Sequence, residues 1–284
     1  MMALRAAFLL AAACAAGLTD GTGRAVAPTP AVRVVSLTVM TDEFLSELLP
    51  PERILAYSRS VDDPRISNAV EAAKRVKTRI WLDLETLIAL KPDLIVAADW
   101  SDGADLDFLR GRGFAVYTVK TPERWSEVRD AIGGLGEVLH RSDAARALLG
   151  RLDGEERALA AVRDSIVRPV SILQFDGTSS MARGTLWNDM VSMAGLVNAA
   201  AGLGADRYGF APLSHELLFK LDPDWLVLSP STAASLRGDP LYSRLRAVRA
   251  GHLLELSDAV TTTTSQAALK AAEILQHAAY PDLR

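Results

Sequence analysis

The stretch DLETLIALKPDLIVA, residues 83–97, decides the fold, because SHELLFKLDPDWLVLS, residues 214–229, repeats its pattern later in the chain. In each stretch a glutamate, Glu85 or Glu216, stands seven residues before a proline, and an aspartate and an apolar run follow that proline. A residue type that caps helices opens each stretch, and proline ends a helix. Both stretches therefore predict a short helix and then a strand that is covered on both faces.

A recurrence at this long distance favours two similar lobes over a solenoid of short repeats. Around the first copy, residues 32–37 and 54–58 read as strands, residues 42–49 read as a helix, and further strands are centred near Val96 and Val116. This alternation predicts an α/β lobe with a mainly parallel sheet.

One long helix is predicted between the lobes, over residues 142–166, and Pro169 ends it. Its apolar residues follow helical spacing: Leu148, Leu152, Leu159, Val162 and Ile166. The predicted organisation is a leader (1–27), an N-terminal lobe (28–141), a connecting helix (142–168) and a C-terminal lobe (169–284), with a ligand cleft between the lobes.

The N-terminus predicts export. Arg5 precedes an apolar run over residues 6–16 that is too short to span a bilayer, as in a secretory signal. Cys14, the single cysteine, lies in this run. Cleavage after Cys14 would leave a chain without thiols, whereas cleavage before it would make Cys14 the lipid-bearing residue of a lipoprotein. The Gly-, Thr- and Pro-rich residues 18–30 read as a disordered tether, so we expect a periplasmic protein, soluble or anchored through Cys14.

Composition and motifs argue against several other functions. The 284 residues carry a net charge of −4 with 23% charged residues, which gives no support for nucleic-acid binding. No G-x-S-x-G motif is present and no histidine lies in a nucleophile-containing motif, so we expect no enzyme. The chain also lacks the His-rich loop that a bare zinc or manganese ion needs, so no metal ligands are predicted. We expect a monomer.

Five segments carry a resemblance to a known family: RVVSLTVMTDEFLSEL, LETLIALKPDLIVA, RGTLWNDMVSMAGLVNAA, SHELLFKLDPDWLVLS and VRAGHLLELSD. In this order and spacing the chain resembles the class III periplasmic substrate-binding proteins of ABC importers for iron-siderophore complexes and vitamin B12. The resemblance implies two α/β lobes bridged by a helix, with the ligand in the cleft and no resident cofactor.

The resemblance also implies a role for the repeated glutamates. In the family, the acidic residue of each repeated helix docks on the dimeric membrane permease, and Glu85 and Glu216 hold these positions here. Two carboxylates on a pseudo-twofold surface suit charge-assisted contacts with a twofold-related partner. The alternative is that each glutamate only complements a helix dipole.

Ligand contacts are predicted next. Arg79 stands six residues before Glu85, where hydroxamate-binding relatives carry an arginine, and Tyr208 stands where they carry a cleft aromatic. Trp81 and Trp100 lie near strand ends, where open α/β sheets place ligands. Any of these aromatics could instead pack in a core, and Arg79 could be a surface arginine. The weaker candidates are Arg59, Arg183 and Arg207.

Two further features refine the expected ligand. Trp187 lies in a predicted helix in step with Met190 and Val191, so we assign it to packing. Residues 261–264, all threonine, fill a loop where siderophore-binding relatives often place a bulky residue, which leaves the size of the ligand open. We expect an Fe(III)–siderophore complex, with cobalamin or another corrinoid as the alternative and haem behind both.

Overall fold

The computed structural model describes residues 18–283 as two α/β lobes joined by one long helix, Ser142–Ser165. The predicted fold class is therefore confirmed. The predicted secretory signal and Cys14 lie in residues 1–17, outside the described residues.

The first lobe is a five-stranded parallel sheet with the order β3-β2-β1-β4-β5. Its elements in chain order are β1 (Val34–Ser36), α1 (Val39–Leu48), β2 (Ile54–Ser58), α2 (Val70–Ala73), β3 (Arg79–Ile80), α3 (Leu84–Leu90), β4 (Leu94–Ala98), α4 (Gly103–Gly111), β5 (Val116–Val119) and α5 (Trp125–Val138). Helix α1 begins three residues before the predicted start, because Thr38 and Thr41 form a capping box there.

The linking helix is α6 (Ser142–Ser165). In the second lobe the elements are β6 (Ser171–Phe175), β7 (Ser179–Met181), α7 (Leu186–Met193), β8 (Val197–Asn198), β9 (Phe210–Pro212), α8 (His215–Leu221), β10 (Trp225–Leu228), α9 (Pro230–Gly238), α10 (Arg246–Ala250), β11 (Leu253–Glu255), α11 (Asp258–Thr261) and α12 (Ala267–Ala279). Four of these strands form a parallel sheet with the order β11-β10-β6-β8, and β7 pairs with β9 in an antiparallel ribbon.

The sequence repeat is a structural repeat. Helices α3 and α8 each have seven residues, and the side chains of Asp83 and Ser214 cap them. Each helix ends at a residue in the left-handed conformation, Lys91 or Asp222, directly before the proline. The following strand occupies the same place in both sheets: β4 lies between β1 and β5, and β10 lies between β6 and β11.

Both main sheets are covered on their two faces, which explains their unbroken apolar runs. In β4, Leu94 and Val96 face a core cluster that extends across both lobes, while Ile95 and Ala97 face a second cluster within the first lobe. Helix α6 joins the cross-lobe core by burying Ala145, Leu148, Leu152 and Leu159. It packs on α1 and α5 of the first lobe and on α7 and α12 of the second.

The segment predicted as a disordered tether is ordered from Leu18 onward, which corrects that expectation. The buried carboxylate of Asp20 accepts hydrogen bonds from the backbone of Thr22, Arg24 and Thr118. Val26 packs into the hydrophobic core. We therefore propose that the first lobe begins before residue 28. Within residues 18–283, no helix has the length and apolarity needed to cross a membrane.

Candidate functional site

The candidate site is the cleft between the lobes, where all five strands of the first sheet end. Residues at or just after the strand ends line the cleft: Thr38 after β1, Ser58 at the end of β2, Trp81 after β3, Trp100 after β4 and Thr121 after β5. Ligands of open α/β sheets bind at this carboxyl edge. The topology therefore brings together side chains that are far apart in sequence.

Three adjoining cavities make up the cleft. The aromatic cavity, about 610 Å³, lies between Trp100 of the first lobe and Trp187, Tyr208 and Phe210 of the second. The first-lobe cavity, about 580 Å³, is lined by Trp81, Trp100 and Glu43 among others. The polar cavity, about 650 Å³, is lined mainly by the second lobe. The space suits a ligand larger than a bare ion.

Three predicted aromatic residues line the cleft with more than half of their surface exposed: Trp81 at 56%, Trp100 at 57% and Tyr208 at 55%. Trp100 lines both the aromatic and the first-lobe cavities. Single exposed apolar side chains are common, but several exposed aromatic rings that line one cleft are typical of a ligand-binding groove. The structure thus brings together three residues that were predicted to contact the ligand.

Arg207 lines the aromatic cavity beside Tyr208. Its guanidinium carbon lies 4.6 Å from the centre of the Tyr208 ring, and its Nη2 donates a hydrogen bond to the phenol oxygen at 2.5 Å. This cation–π contact holds the Tyr208 ring in place, and it satisfies part of the attraction that the Arg207 charge would otherwise offer to a ligand.

The threonine run lies at the meeting point of the cavities. Thr262, Thr263 and Thr264 line both the aromatic and the first-lobe cavities, and Thr261 lines the aromatic and the polar cavities. Four small side chains at this point leave space for a wide ligand. The hydroxyls of Thr261, Thr262 and Thr263 already donate within the protein, to the Ser257 and Asp258 carbonyls and to the Glu43 carboxylate.

Glu43 lines the cleft although the sequence did not predict it as a site residue. Its carboxylate is buried and lines the first-lobe cavity, and it accepts hydrogen bonds from the Asn68 backbone at 2.8 Å, the Thr263 hydroxyl at 3.2 Å and the Ser265 hydroxyl. Burial raises the pKa of Glu43 above its ordinary value, although these hydrogen bonds oppose the rise. The adjacent acidic pair Asp42 and Glu43 inside an apolar helix was the sequence signal available.

Arg79 does not line the described cavities, and it has no free donor for a ligand. An arginine has five N–H donors. Those of Arg79 bond the Asp62 carboxylate through Nε and Nη2, and the carbonyls of Ala73, Val76 and Thr78. The hydrogen bonds from Arg79 hold the pKa of Asp62 below its ordinary value. The predicted ligand contact stays a prediction, and this placement argues for a structural role.

Three other predicted residues are placed as follows. Arg59 and Arg183 are exposed and belong to none of the cavity linings, although their neighbours Ser58 and Gly184 do. Trp187 is 1% exposed and packs in the cross-lobe core, as expected, but it also forms part of the wall of the aromatic cavity. Its Nε1 has no hydrogen-bond partner in the part of the chain that the structure describes.

Glu85 and Glu216 are the second residues of α3 and α8. Both side chains are exposed, and neither forms an ion pair with any residue between Leu18 and Leu283. They therefore lie in equivalent positions on the two lobes with carboxylates open to a partner.

Residues 34–260 match a family model described as periplasmic binding protein. Among curated proteins, the chain is 23% identical over 260 residues to YvrC of Bacillus subtilis, an ABC transporter substrate-binding lipoprotein. The aligned region covers 88% of this chain and 80% of YvrC.

Solved structures show the same fold. The periplasmic haem-binding protein RhuT from Roseiflexus sp. RS-1 superposes with a TM-score of 0.74 at 20% identity, covering 89% of this chain and 99% of RhuT. The molybdate-binding protein MolA of Haemophilus influenzae superposes with a TM-score of 0.79 at 16% identity, covering 93% of this chain and 91% of MolA. Similarity at this level of identity carries the architecture and not the ligand.

Proposed function

The chain belongs to the periplasmic binding protein family, and from that premise we propose that it captures a ferric siderophore of low net charge outside the cytoplasm and delivers it to an ABC-importer permease. Proteins of this kind bind and release solutes without converting them. The observation that carries the proposal is the set of exposed aromatic rings from both lobes, Trp81, Trp100 and Tyr208, that face one cleft. Flat, stiff side chains are suited to a large, rigid chelate.

The charge of the cleft supports a chelate near neutrality. The carboxylates of Asp99, Asp102 and Glu123 line its first-lobe side. Lys120 lies 3.6 Å from Glu127, and Arg207 is stacked on Tyr208, so both cations are partly engaged. A ferric trihydroxamate is neutral because three monoanionic groups balance Fe(III). A ferric tris-catecholate carries three negative charges, which these carboxylates would repel.

A planar macrocycle is the second candidate. The arginine-bonded phenol of Tyr208 faces the aromatic cavity, and a tyrosine oxygen is a known type of haem iron ligand. The same flat walls would also accept a corrinoid, for which no ligand from the protein is needed. Haem differs from a trihydroxamate in needing an axial ligand from the protein.

The test is a titration of the protein, without its first 17 residues, with ferric trihydroxamate, ferric tris-catecholate, cyanocobalamin and haemin, followed by calorimetry. We expect saturable binding of the trihydroxamate and loss of about 2 kcal/mol or more in Trp100→Ala, since that ring lines two cavities. Trp225→Ala is the matched control, because Trp225 stacks on His252 outside these three cavities. Binding of haemin or cyanocobalamin alone would overturn the proposed cargo.

Delivery is proposed to occur through Glu85 and Glu216. Their equivalent positions at the starts of α3 and α8 support simultaneous contact with the two subunits of a permease. The cross-lobe core around α6 supports only a small closing motion, because opening the lobes widely would expose it.

A further inference from the structure

The polar cavity differs in chemistry from the two cavities beside it. It lies at the carboxyl ends of β6, β10 and β11, the second lobe's counterpart of the edge that carries Trp81 and Trp100 in the first. It adjoins the aromatic cavity at Thr261 and the first-lobe cavity at Ile66. Its lining contains no aromatic residue. A group attached to a chelate in the neighbouring cavities can therefore reach it.

Gln174 gives the first sign that this cavity receives a polar group. The residue is 8% exposed, lines the cavity from β6, and its Oε1 is buried with no hydrogen-bond partner among residues 18–283. An unpaired buried amide costs about 1–3 kcal/mol, so such groups nearly always have a partner. An amide oxygen accepts hydrogen bonds, so the partner that Oε1 lacks is a hydrogen-bond donor.

The charges give the sign of the missing partner. Arg65 is the one cation in the lining, and its Nε and Nη2 are bonded to the carboxylate of Asp63 at 2.9 and 2.6 Å. Asp176 and Asp258 also line the cavity, and neither pairs with a basic residue in the described part of the chain. The cavity therefore has a net negative charge.

Asp176 is held in its ionised form. Burial acts to raise the pKa of this carboxyl, but hydrogen bonds from Ser179 and Thr178 outweigh burial and keep the pKa below its ordinary value. All of these donors are neutral, with the Thr178 amide at 2.8 Å and the Ser179 amide at 2.6 Å. They stabilise the charge without cancelling it.

The first turn of α9 offers few free backbone N–H groups, so it does not form an anion-binding site that would offset the negative charge of the cavity. Pro230 has no N–H, and the Thr232 N–H is bonded to the Ser229 hydroxyl at 3.2 Å. The Thr232 hydroxyl donates to the carbonyl of Asp176 at 3.3 Å. Among the first three residues of α9, Ser231 alone therefore has an N–H without a partner in the described part of the chain, and one such amide does not outweigh the carboxylates in the lining.

We propose that the polar cavity is a subsite for a cationic ammonium group carried by the chelate, with Gln174, Asp176 and Asp258 as its acceptors. This rests on the proposed function and narrows it to a ferric hydroxamate with an amine-bearing arm. An ammonium group has three donors, which matches one amide oxygen and two carboxylates. Charge-assisted bonds of this kind are about twice as strong as neutral ones.

The test uses a linear ferric trihydroxamate with a free terminal amine, its N-acetylated form, which is neutral, and its N-succinylated form, which is anionic. Calorimetry at low ionic strength should show that affinity decreases from the amine form to the acetyl form and then to the succinyl form. The amine form should bind about tenfold more tightly than the acetyl form, equivalent to about 1.4 kcal/mol. Asp258→Asn and Asp176→Asn should each shrink the difference, and Gln174→Leu should do the same, while the affinity for the acetyl form stays unchanged.

Asp130→Asn is the matched control, because Asp130 is exposed on α5 outside the cavity lining and its removal changes the net charge equally. Equal binding of the three forms by the parent protein, or a preference that survives all three cavity variants, overturns the subsite and leaves the proposed function standing. Tighter binding of the succinyl form also overturns it. Binding of none of the forms overturns both the subsite and the hydroxamate cargo.

Discussion

The carboxylate of Glu43 in the first lobe accepts a hydrogen bond at 3.2 Å from the hydroxyl of Thr263, which lies 220 residues later in the chain. Ser265 donates to the same oxygen, and the Gln266 side chain donates to the Glu43 carbonyl at 2.7 Å. Close by, the Ala259 amide donates to the Arg65 carbonyl at 2.7 Å. Together these bonds fix the threonine run against the first lobe at the centre of the cleft.

Removal of the Glu43 carboxylate should weaken these contacts between the lobes. In Glu43→Ala, the hydroxyls of Thr263 and Ser265 and the amide of Asn68 lose their acceptor, so we expect a loss of about 3 kcal/mol in the free energy of unfolding and weaker chelate binding. Chemical denaturation and calorimetry measure the two effects. Glu52→Ala is the control, because Glu52 is exposed. An unchanged free energy of unfolding in Glu43→Ala would show that the hydrogen bonds of Glu43 do not stabilise the contact between the lobes.

Asp42 should make the stability depend on pH. Burial raises the pKa of Asp42 from 3.8 to about 6, against hydrogen bonds from Ser36 and Ser58 that lower it. The folded state therefore binds this proton more tightly than the unfolded state. The resulting stability is fully present below pH 3.8 and is lost as the pH rises through about 6.

Asp42→Asn removes that titration while keeping an acceptor for the Ser58 amide, which bonds Asp42 at 3.0 Å. Urea unfolding measures the free energy of unfolding of both proteins between pH 4 and pH 7.5. As the pH rises, this free energy should increase in the variant relative to the parent protein by about 2–3 kcal/mol, at about 1.4 kcal/mol for each pKa unit. Groups that do not face Asp42 titrate equally in both proteins, so the difference between the two curves reports Asp42 and its coupling to Glu43. Parallel curves would contradict the raised pKa.

Arg79 should act on stability and not on the ligand. With all five donors bonded to Asp62 and three carbonyls, Arg79→Ala should lower the free energy of unfolding by about 2 kcal/mol and leave the affinity for the ferric trihydroxamate within twofold. Arg59→Ala, at an exposed position, should change neither quantity. Loss of affinity with unchanged stability would restore Arg79 to the ligand site.

The repeat, the alternation of strands and helices, and the long helix could be predicted because they depend on local patterns. The prolines after α3 and α8 and the apolar runs of β4 and β10 are visible in the sequence, and so is the spacing of Leu148, Leu152 and Leu159. They are visible because proline ends each short helix and because a strand that is buried on both faces has a continuous apolar run.

The site could be predicted only in part. Trp81 and Trp100 were predicted because they lie near strand ends, and Tyr208 was predicted from the family resemblance; all three line the cleft. The bonds of Arg79 to Asp62 and those of Glu43 to Thr263 join residues that are far apart in sequence, so no local pattern shows them. The order of residues 18–30 likewise depends on Asp20 meeting Thr118.

Docking should depend on both repeated glutamates and leave the cleft intact. In cells that carry the cognate permease, Glu85→Arg with Glu216→Arg should abolish uptake of the chelate, since each change replaces attraction by repulsion. The purified double variant should bind the chelate with the parent affinity, because both side chains are exposed outside the cavity linings. Glu52→Arg with Asp282→Arg, also at exposed positions, is the control. Full uptake by the first pair would exclude these glutamates from docking.

The most direct test of the central claim is the position of iron in a crystal of the complex with a ferric trihydroxamate, measured by anomalous diffraction at the iron edge. We expect one peak in the cleft, between Trp100 and Tyr208 and beside the threonine run of residues 261–264. A peak outside the cleft, or a complex in which the chelate contacts neither tryptophan of the first-lobe cavity, would contradict it.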